Sequence, residues 1–319
     1  MARVLVTGGA GFLGSAVVAN LATREDVPAV VCTDLHPPGE LPAGVEFTRC
    51  DVSDPGALEP ILRAHRVDTV VHLAAIVSPG RDVAAEYRVD VQGTANVLAA
   101  CVAARVRRIV VSSSGAAYGY HRDNPAWITE EHPLRGNEEF SYSRHKRLVE
   151  EMLAAYRREH PELTQTVLRI GTILGPAVAN QITALWDGRR ILRIAGSDSP
   201  FVFVWVDDVA EVLARAAAGG PAGIFNVAGQ GSLTVPQIAR RLGKPLLTLP
   251  AWVLRALLWA GHRLHLTEHG PAQVNFLRYR PVLASARLTE EFGYTPARTS
   301  AEAFEEYLVH HPEVLARRR

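Results

Sequence analysis

Apolar positions in the first half of the chain fall in short runs separated by longer amphipathic stretches. Arg3–Thr7 carries three β-formers and then meets glycines, which predicts a buried strand. Further strands are predicted at Ala29–Thr33, Val45–Arg49, Val67–Leu73, Arg108–Ser112 and Thr166–Ile170. Between them the period lengthens. Helices are expected after Gly14, from an Asp54-Pro55 start, over about Ala84–Ala104 and over about Phe140–His160. Continuous apolar strands alternating with helices imply an α/β fold, a doubly wound parallel sheet covered on both faces. From about Gly175 the rhythm breaks into short elements, prolines and loops. One strand–helix unit returns at Phe203–Ala218, followed by a strand at Ile224–Val227. The expected division is a Rossmann domain over 1–175 that takes back about 201–228. A smaller, mostly helical cap would come from 176–200 and 229–319.

The bulk numbers narrow the class. A chain of 319 residues can bury a large core, and a net charge of +1 gives no field favouring nucleic acid or a membrane surface. Cys32, Cys50 and Cys101 are scattered, which argues against a disulfide framework or structural zinc. No apolar run approaches the ~20 residues of a spanning helix. The best candidate, Ala251–Ala260, contains Arg255, and Met1 leads almost directly into the first strand. A cytoplasmic protein is expected. His262, His265 and His269 have loose helical spacing but no completing carboxylate or cysteine, so no metal is expected. Trp252, Val253, Leu254, Leu257, Leu258 and Trp259 suit core packing, a dimer contact or a greasy substrate wall.

The first βα turn carries the first chemistry. Gly9, Gly11 and Gly14 satisfy G-x-G-x-x-G, and Gly8, Gly11 and Gly14 satisfy G-x-x-G-x-x-G. A glycine turn between a strand and a helix offers bare amides and a positive helix end to a pyrophosphate. Asp34 ends the second strand, twenty residues beyond Gly14. A carboxylate there accepts from ribose hydroxyls and repels a 2′-phosphate, and Leu35-His36-Pro37-Pro38 offers no arginine for that phosphate. NAD is therefore expected rather than NADP, although a turn after a strand also suits an aspartate. Asp51-Val52, after the third strand, can meet the adenine amino group or form an ordinary loop.

Tyr142 and Lys146 stand four residues apart on a predicted helix and so share a face. An ammonium beside a phenol stabilises the phenolate, which fits it to take a proton from an alcohol. Ser112-Ser113-Ser114 ends a strand, where a hydroxyl faces the ligand crevice of a doubly wound sheet.

Together these segments resemble the extended short-chain dehydrogenases/reductases, the NAD-dependent epimerase/dehydratase family. The resemblance also rests on His72-Leu73-Ala74-Ala75, Gly93-Thr94-Ala95-Asn96, Ser114-Gly115-Ala116-Ala117-Tyr118-Gly119, Val206-Asp207-Asp208-Val209-Ala210 and Phe292-Gly293-Tyr294-Thr295-Pro296. It implies catalytic roles for Ser114, Tyr142 and Lys146, with Lys146 also on the nicotinamide ribose. It places Phe12 and Leu13 in the pyrophosphate turn and Leu73, Ala74 and Ala75 along the cofactor cleft. It also puts Asp90, Ser112 and Gly171 beside the cofactor. A homodimer and a small-molecule substrate are typical of such proteins.

Departures concern substrate. Asp90 and Thr172 stand where sugar-nucleotide epimerases usually carry asparagines, and Phe201 lies near the place of an arginine. Arg278 or Arg280 is a candidate replacement contact for substrate phosphate. The leading expectation is NAD-dependent oxidation and re-reduction of a secondary alcohol on a nucleotide sugar. The alternatives are a net dehydrogenase of a hydrophobic alcohol, similar to 3β-hydroxysteroid dehydrogenases, and a non-catalytic NAD sensor.

Overall fold

The computed structural model describes residues 2–77, 82–264 and 273–316. The strands are β1 (Arg3–Thr7), β2 (Ala29–Asp34), β3 (Val45–Arg49), β4 (Thr69–His72), β5 (Arg108–Ser114), β6 (Thr164–Ile170), β7 (Thr172–Leu174), β8 (Ile191–Ile194), β9 (Phe203–Trp205), β10 (Gly223–Val227) and β11 (Leu246–Leu249). The helices are α1 (Phe12–Ala22), α2 (Leu58–Ala64), α3 (Val83–Tyr87), α4 (Gly93–Ala103), α5 (Ser141–Glu159), α6 (Val206–Ala217), α7 (Val235–Leu242), α8 (Ala251–Arg263), α9 (Gln273–Arg278), α10 (Ala286–Glu290) and α11 (Ser300–His310).

Seven strands form one sheet in the order β10-β6-β5-β4-β1-β2-β3, and every ladder in it is parallel. The strand order reverses between β1 and β4, which opens a crevice at their carboxyl ends. Val4, Leu5 and Val6 are fully buried, because both faces of β1 are covered and both its edges are paired. One face packs against α1 and α6 through Val17, Leu21, Val209 and Leu213. The other packs against α2, α4 and α5 through Leu58, Leu62, Leu98 and Leu153. A separate aromatic core joins Trp186, Phe203, Phe304 and Tyr307, with ring centroids 5.0 to 6.1 Å apart.

Three expectations change. The helix expected from Asp54 begins only at Leu58, because Gly56 takes a φ of +83° and interrupts helical geometry. The single helix expected over Ala84–Ala104 is α3 and α4 joined by a π-helical turn at Arg88–Gln92. Thr94 Oγ1, from the start of α4, donates to the Asp90 carbonyl in that turn at 2.6 Å, a side-chain bond that competes with the helical ladder. The strand at Phe203–Trp205 pairs with β7 outside the main sheet, while β10 joins the main sheet beside β6.

The buried face of α5 is polar: Ser143, His145, Lys146 and Glu150 lie on it with Val149 and Leu153. Glu150 makes a 2.7 Å buried ion pair with Arg169 and accepts from Ser113, and Arg169 also donates to Tyr118 and to the Glu130 carbonyl. Removing one member of such a pair strands the other charge. Glu150→Leu should cost about 3–5 kcal/mol in urea unfolding. Glu59→Ala, which breaks the exposed pair with Arg63, should cost under about 1 kcal/mol. Equal losses would contradict the buried-pair assignment.

Candidate active site

A cavity of about 730 Å³ opens at the carboxyl ends of the strands and reaches from Asp34 to Phe276. The β1–α1 turn forms one wall. Gly8 takes a φ of +69°, and a β-carbon on it would stand 2.7 Å from the Ala74 amide nitrogen. A β-carbon on Gly14 would overlap the Gly8 carbonyl oxygen and lie 2.7 Å from Gly9 Cα. Glycine is thus what lets α1 start directly against the turn. The first-turn amides at Phe12 and Leu13 have no intrahelical partner and border the cavity. Asp34 holds the turn from β2: its Oδ2 accepts the Ala10 N–H at 3.0 Å and its Oδ1 the Leu35 N–H at 2.7 Å.

The remaining predicted residues arrive from successive strand ends. Asp51 and Val52 follow β3, and Asp51 accepts from the Ser53 amide and hydroxyl. Leu73, Ala74 and Ala75 follow β4, and Gly171 follows β6. Behind them His72 is bracketed by Thr7 Oγ1 at 2.8 Å and Thr94 Oγ1 at 3.0 Å. Burial, with the nearby Lys146 charge, pushes its pKa down to about 3, so it is neutral and ties β1, β4 and α4 together.

Lys146 donates from Nζ to the Ser112 carbonyl at 3.0 Å and lies 5.7 Å from the centre of the Tyr142 ring. Ser114 accepts the Ala116 N–H at 3.1 Å through Oγ, which leaves its own proton free. Ser112, Ser114, Tyr142 and Lys146 all border the cavity.

Asp90 does not. It is buried, its Oδ1 accepts the Ile76 N–H at 2.8 Å, and its Oδ2 meets His145 Nδ1 at 3.0 Å. Its carboxylate ties the segment after β4 to α5, which corrects the expectation that it touches cofactor. Arg278 lies against Tyr279 and not at the cavity, whereas Arg280 borders it. Arg280 donates to the Leu277 and Ser199 carbonyls and sits 3.8 Å from the centre of the Phe201 ring. Its Nε has no partner, and burial pushes its pKa down to about 9, which leaves it charged at neutral pH.

Three cavity residues have no signal in the local pattern: Tyr120, Phe140 and Phe276. Phe276 comes from α9, far along the chain, so no spacing rule connects it to the others. Of the expected apolar stretch in α8, Leu254 is buried and Leu258 packs beside it, while Trp252, Leu257 and Trp259 are exposed. None of these lines the cavity, which corrects the greasy-wall alternative for that stretch. His265 and His269 lie outside the described residues. Among the described residues no group of three or more His, Cys, Asp or Glu could hold a metal ion, and no helix is long and apolar enough to cross a membrane.

A doubly wound sheet with a glycine turn, an acid ending β2 and a Ser-Tyr-Lys set on one cavity defines a dinucleotide-dependent class. The chain belongs to the NAD-dependent epimerase/dehydratase family, whose model matches residues 4–228. It is 32% identical to the uncharacterized protein Rv0501 of Mycobacterium tuberculosis over 311 residues, 95% of this chain and 82% of that one. It is 35% identical to UDP-glucose 4-epimerase 2 of Oryza sativa subsp. japonica over 181 residues, 52% of this chain and 43% of that one. The structure of the UDP-glucose 4-epimerase of Thermus thermophilus in complex with NAD superposes with a TM-score of 0.75 at 26% identity. That match covers 97% of this chain and 99% of that chain. The cofactor is NAD, and the glycine turn, free amides and Asp34 fit it.

Two outcomes follow from the geometry. Gly14→Ala should weaken NAD binding by at least about tenfold, read by calorimetric titration, because α1 must retreat from the turn. Affinity within about twofold of wild type would contradict the close approach. His72 has a folded pKa below its ordinary 6.5, so stability is full above that value and falls as pH drops toward 3. Between pH 6.5 and 4, denaturant-measured stability should fall more steeply in wild type than in His72→Asn, by up to about 1.4 kcal/mol per pH unit. Parallel slopes would contradict a neutral buried imidazole.

Proposed function

We propose that the protein is an NAD-dependent oxidoreductase acting on a secondary alcohol, with Tyr142, Lys146 and Ser114 as its catalytic residues. The observation that carries this reading is the convergence of those side chains on one cavity, which a turn suited to pyrophosphate also borders. NAD, when bound, supplies the two-electron acceptor. Phe12 and Leu13 amides take its pyrophosphate, and Asp34 takes the adenosine ribose. Asp51 and Val52 flank the adenine. Leu73, Ala74, Ala75, Ser112 and Gly171 line the path to the reactive end.

The residues divide the proton work. Lys146, fixed by the Ser112 carbonyl, holds its ammonium beside the Tyr142 ring. Tyr142 Oη takes the hydroxyl proton of the substrate and returns it when the reaction reverses. Ser114 donates to the substrate oxygen with the proton that Ala116 leaves free. A non-catalytic sensor has no use for this set.

Two substrate classes fit. A nucleotide sugar, oxidised and re-reduced on the other face, is supported by the relatives named UDP-glucose 4-epimerase and by the cationic Arg280. Net oxidation of a hydrophobic alcohol is favoured by a specific observation: Phe201, Thr172 and a cluster of aromatic rings line the cavity. An epimerase turns over at constant NADH absorbance, and a dehydrogenase does not.

Tyr142→Phe should lower kcat about 10²- to 10⁴-fold on any accepted alcohol while NAD affinity stays within a few-fold of wild type. An unchanged kcat would overturn the assignment.

A further inference from the structure

The cavity pairs the buried guanidinium of Arg280 with an aromatic box, at a distance along the chain from Lys146, and this combination bears on the molecule it takes. The Phe276 ring stands edge to face with those of Tyr120 and Phe140, which are tilted against each other, and the centroids are 5.1 to 5.7 Å apart. Phe140 lies 6.3 Å from the Tyr142 ring, so the box adjoins the proposed acid/base. Its rings bring a single hydroxyl, that of Tyr120, and no amide or carboxylate. The Tyr120 hydroxyl makes no hydrogen bond among the described residues, and its residue is 8% exposed. It borders the same cavity as Tyr142 and Arg280.

Arg280 is 9% exposed, has no carboxylate partner among the described residues and keeps Nε unbonded. A buried charge without a counter-charge is costly until an anion pairs with it. A guanidinium matches a carboxylate or phosphate with two parallel hydrogen bonds. Beside it, the three rings offer apolar faces that fit an apolar or aryl skeleton.

We infer that the substrate is an amphiphilic organic anion. Its carboxylate or phosphate is held by Arg280, and its reacting secondary alcohol belongs to an apolar or aryl skeleton packed on Tyr120, Phe140 and Phe276. In the forward direction the carbinol carbon gives its C–H electron pair with the hydrogen to NAD⁺ and its O–H proton to Tyr142. The products are a ketone and NADH. This deepens the proposed function and rests on its hydride-transfer reading.

The test uses the full chain with NAD⁺ and four probe arms. These are 3-hydroxy-3-phenylpropanoate, 2-hydroxy-2-phenylethyl phosphate, neutral 1-phenylethanol, and UDP-glucose with UDP-galactose. NADH absorbance is followed for the alcohols, and chromatography detects sugar epimers. One of the two anions should exceed 1-phenylethanol in kcat/KM by about 30-fold or more, with no sugar product, and the better anion tells carboxylate from phosphate. Arg280→Gln and Arg280→Lys should collapse that ratio toward one through KM, and Phe276→Ala should raise KM for the aryl anion. An NAD-induced thermal shift shows that each variant is folded. Sugar epimerisation with both anions inert would overturn this inference and leave the hydride-transfer reading standing. NAD binding with no turnover in any arm would overturn both.

Discussion

A helix with a polar buried face, fastened to the end of a parallel sheet, is the constraint on which the cavity depends. α5 is tied down through Lys146 to the Ser112 carbonyl, through Ser143 to the Ala116 carbonyl and through Glu150 to Ser113 and Arg169. Each bond satisfies a group that would otherwise be buried without a partner. Together they fix both the rotation of α5 and its height above the sheet. Tyr142 then faces the crevice at the strand-order reversal as a consequence of how its neighbours are bonded.

The glycine turn imposes a second close approach at the edge of the same cavity. α1 begins against the turn because Gly14 has no side chain, and Asp34 reaches from β2 to hold the Ala10 amide. Asp34 therefore braces the turn as well as facing the cavity. His72 braces the sheet between β1 and α4 through two threonines. The rim that meets a dinucleotide is thus rigidified by hydrogen bonds behind it, as a preorganised site requires.

Much of this was legible in the sequence, for reasons that can be named. β1, β2, β4 and β6 were readable because a strand buried on both faces is a continuous apolar run. The glycine turn and the Tyr142–Lys146 pair were readable because their chemistry depends on local spacing. The π-helical turn at Arg88–Gln92 was not, since no local spacing announces it or the bond from Thr94 Oγ1 to the Asp90 carbonyl within it. Asp90 was misplaced because spacing does not reveal which way a carboxylate turns once Ile76 and His145 claim it. The Tyr120, Phe140 and Phe276 cluster was invisible because its members meet only through the tertiary fold. Arg280 was named from the sequence only as one of two arginines, and packing on Phe201 separates it from Arg278.

Family membership and the local chemistry of the cavity therefore speak to different questions. The family supplies NAD, and the polar face of α5 carries the proposed proton path. The rings and the Arg280 guanidinium, contributed by both halves of the chain, bear on what is brought to that path. The most direct measurement is a crystal structure of the NAD complex. We expect the nicotinamide ribose within hydrogen-bonding distance of Lys146 Nζ, about 2.6–3.2 Å, with the Tyr142 hydroxyl facing the nicotinamide ring. A cofactor bound with its adenine over Tyr142, or bound away from the Gly8–Gly14 turn, would contradict that geometry.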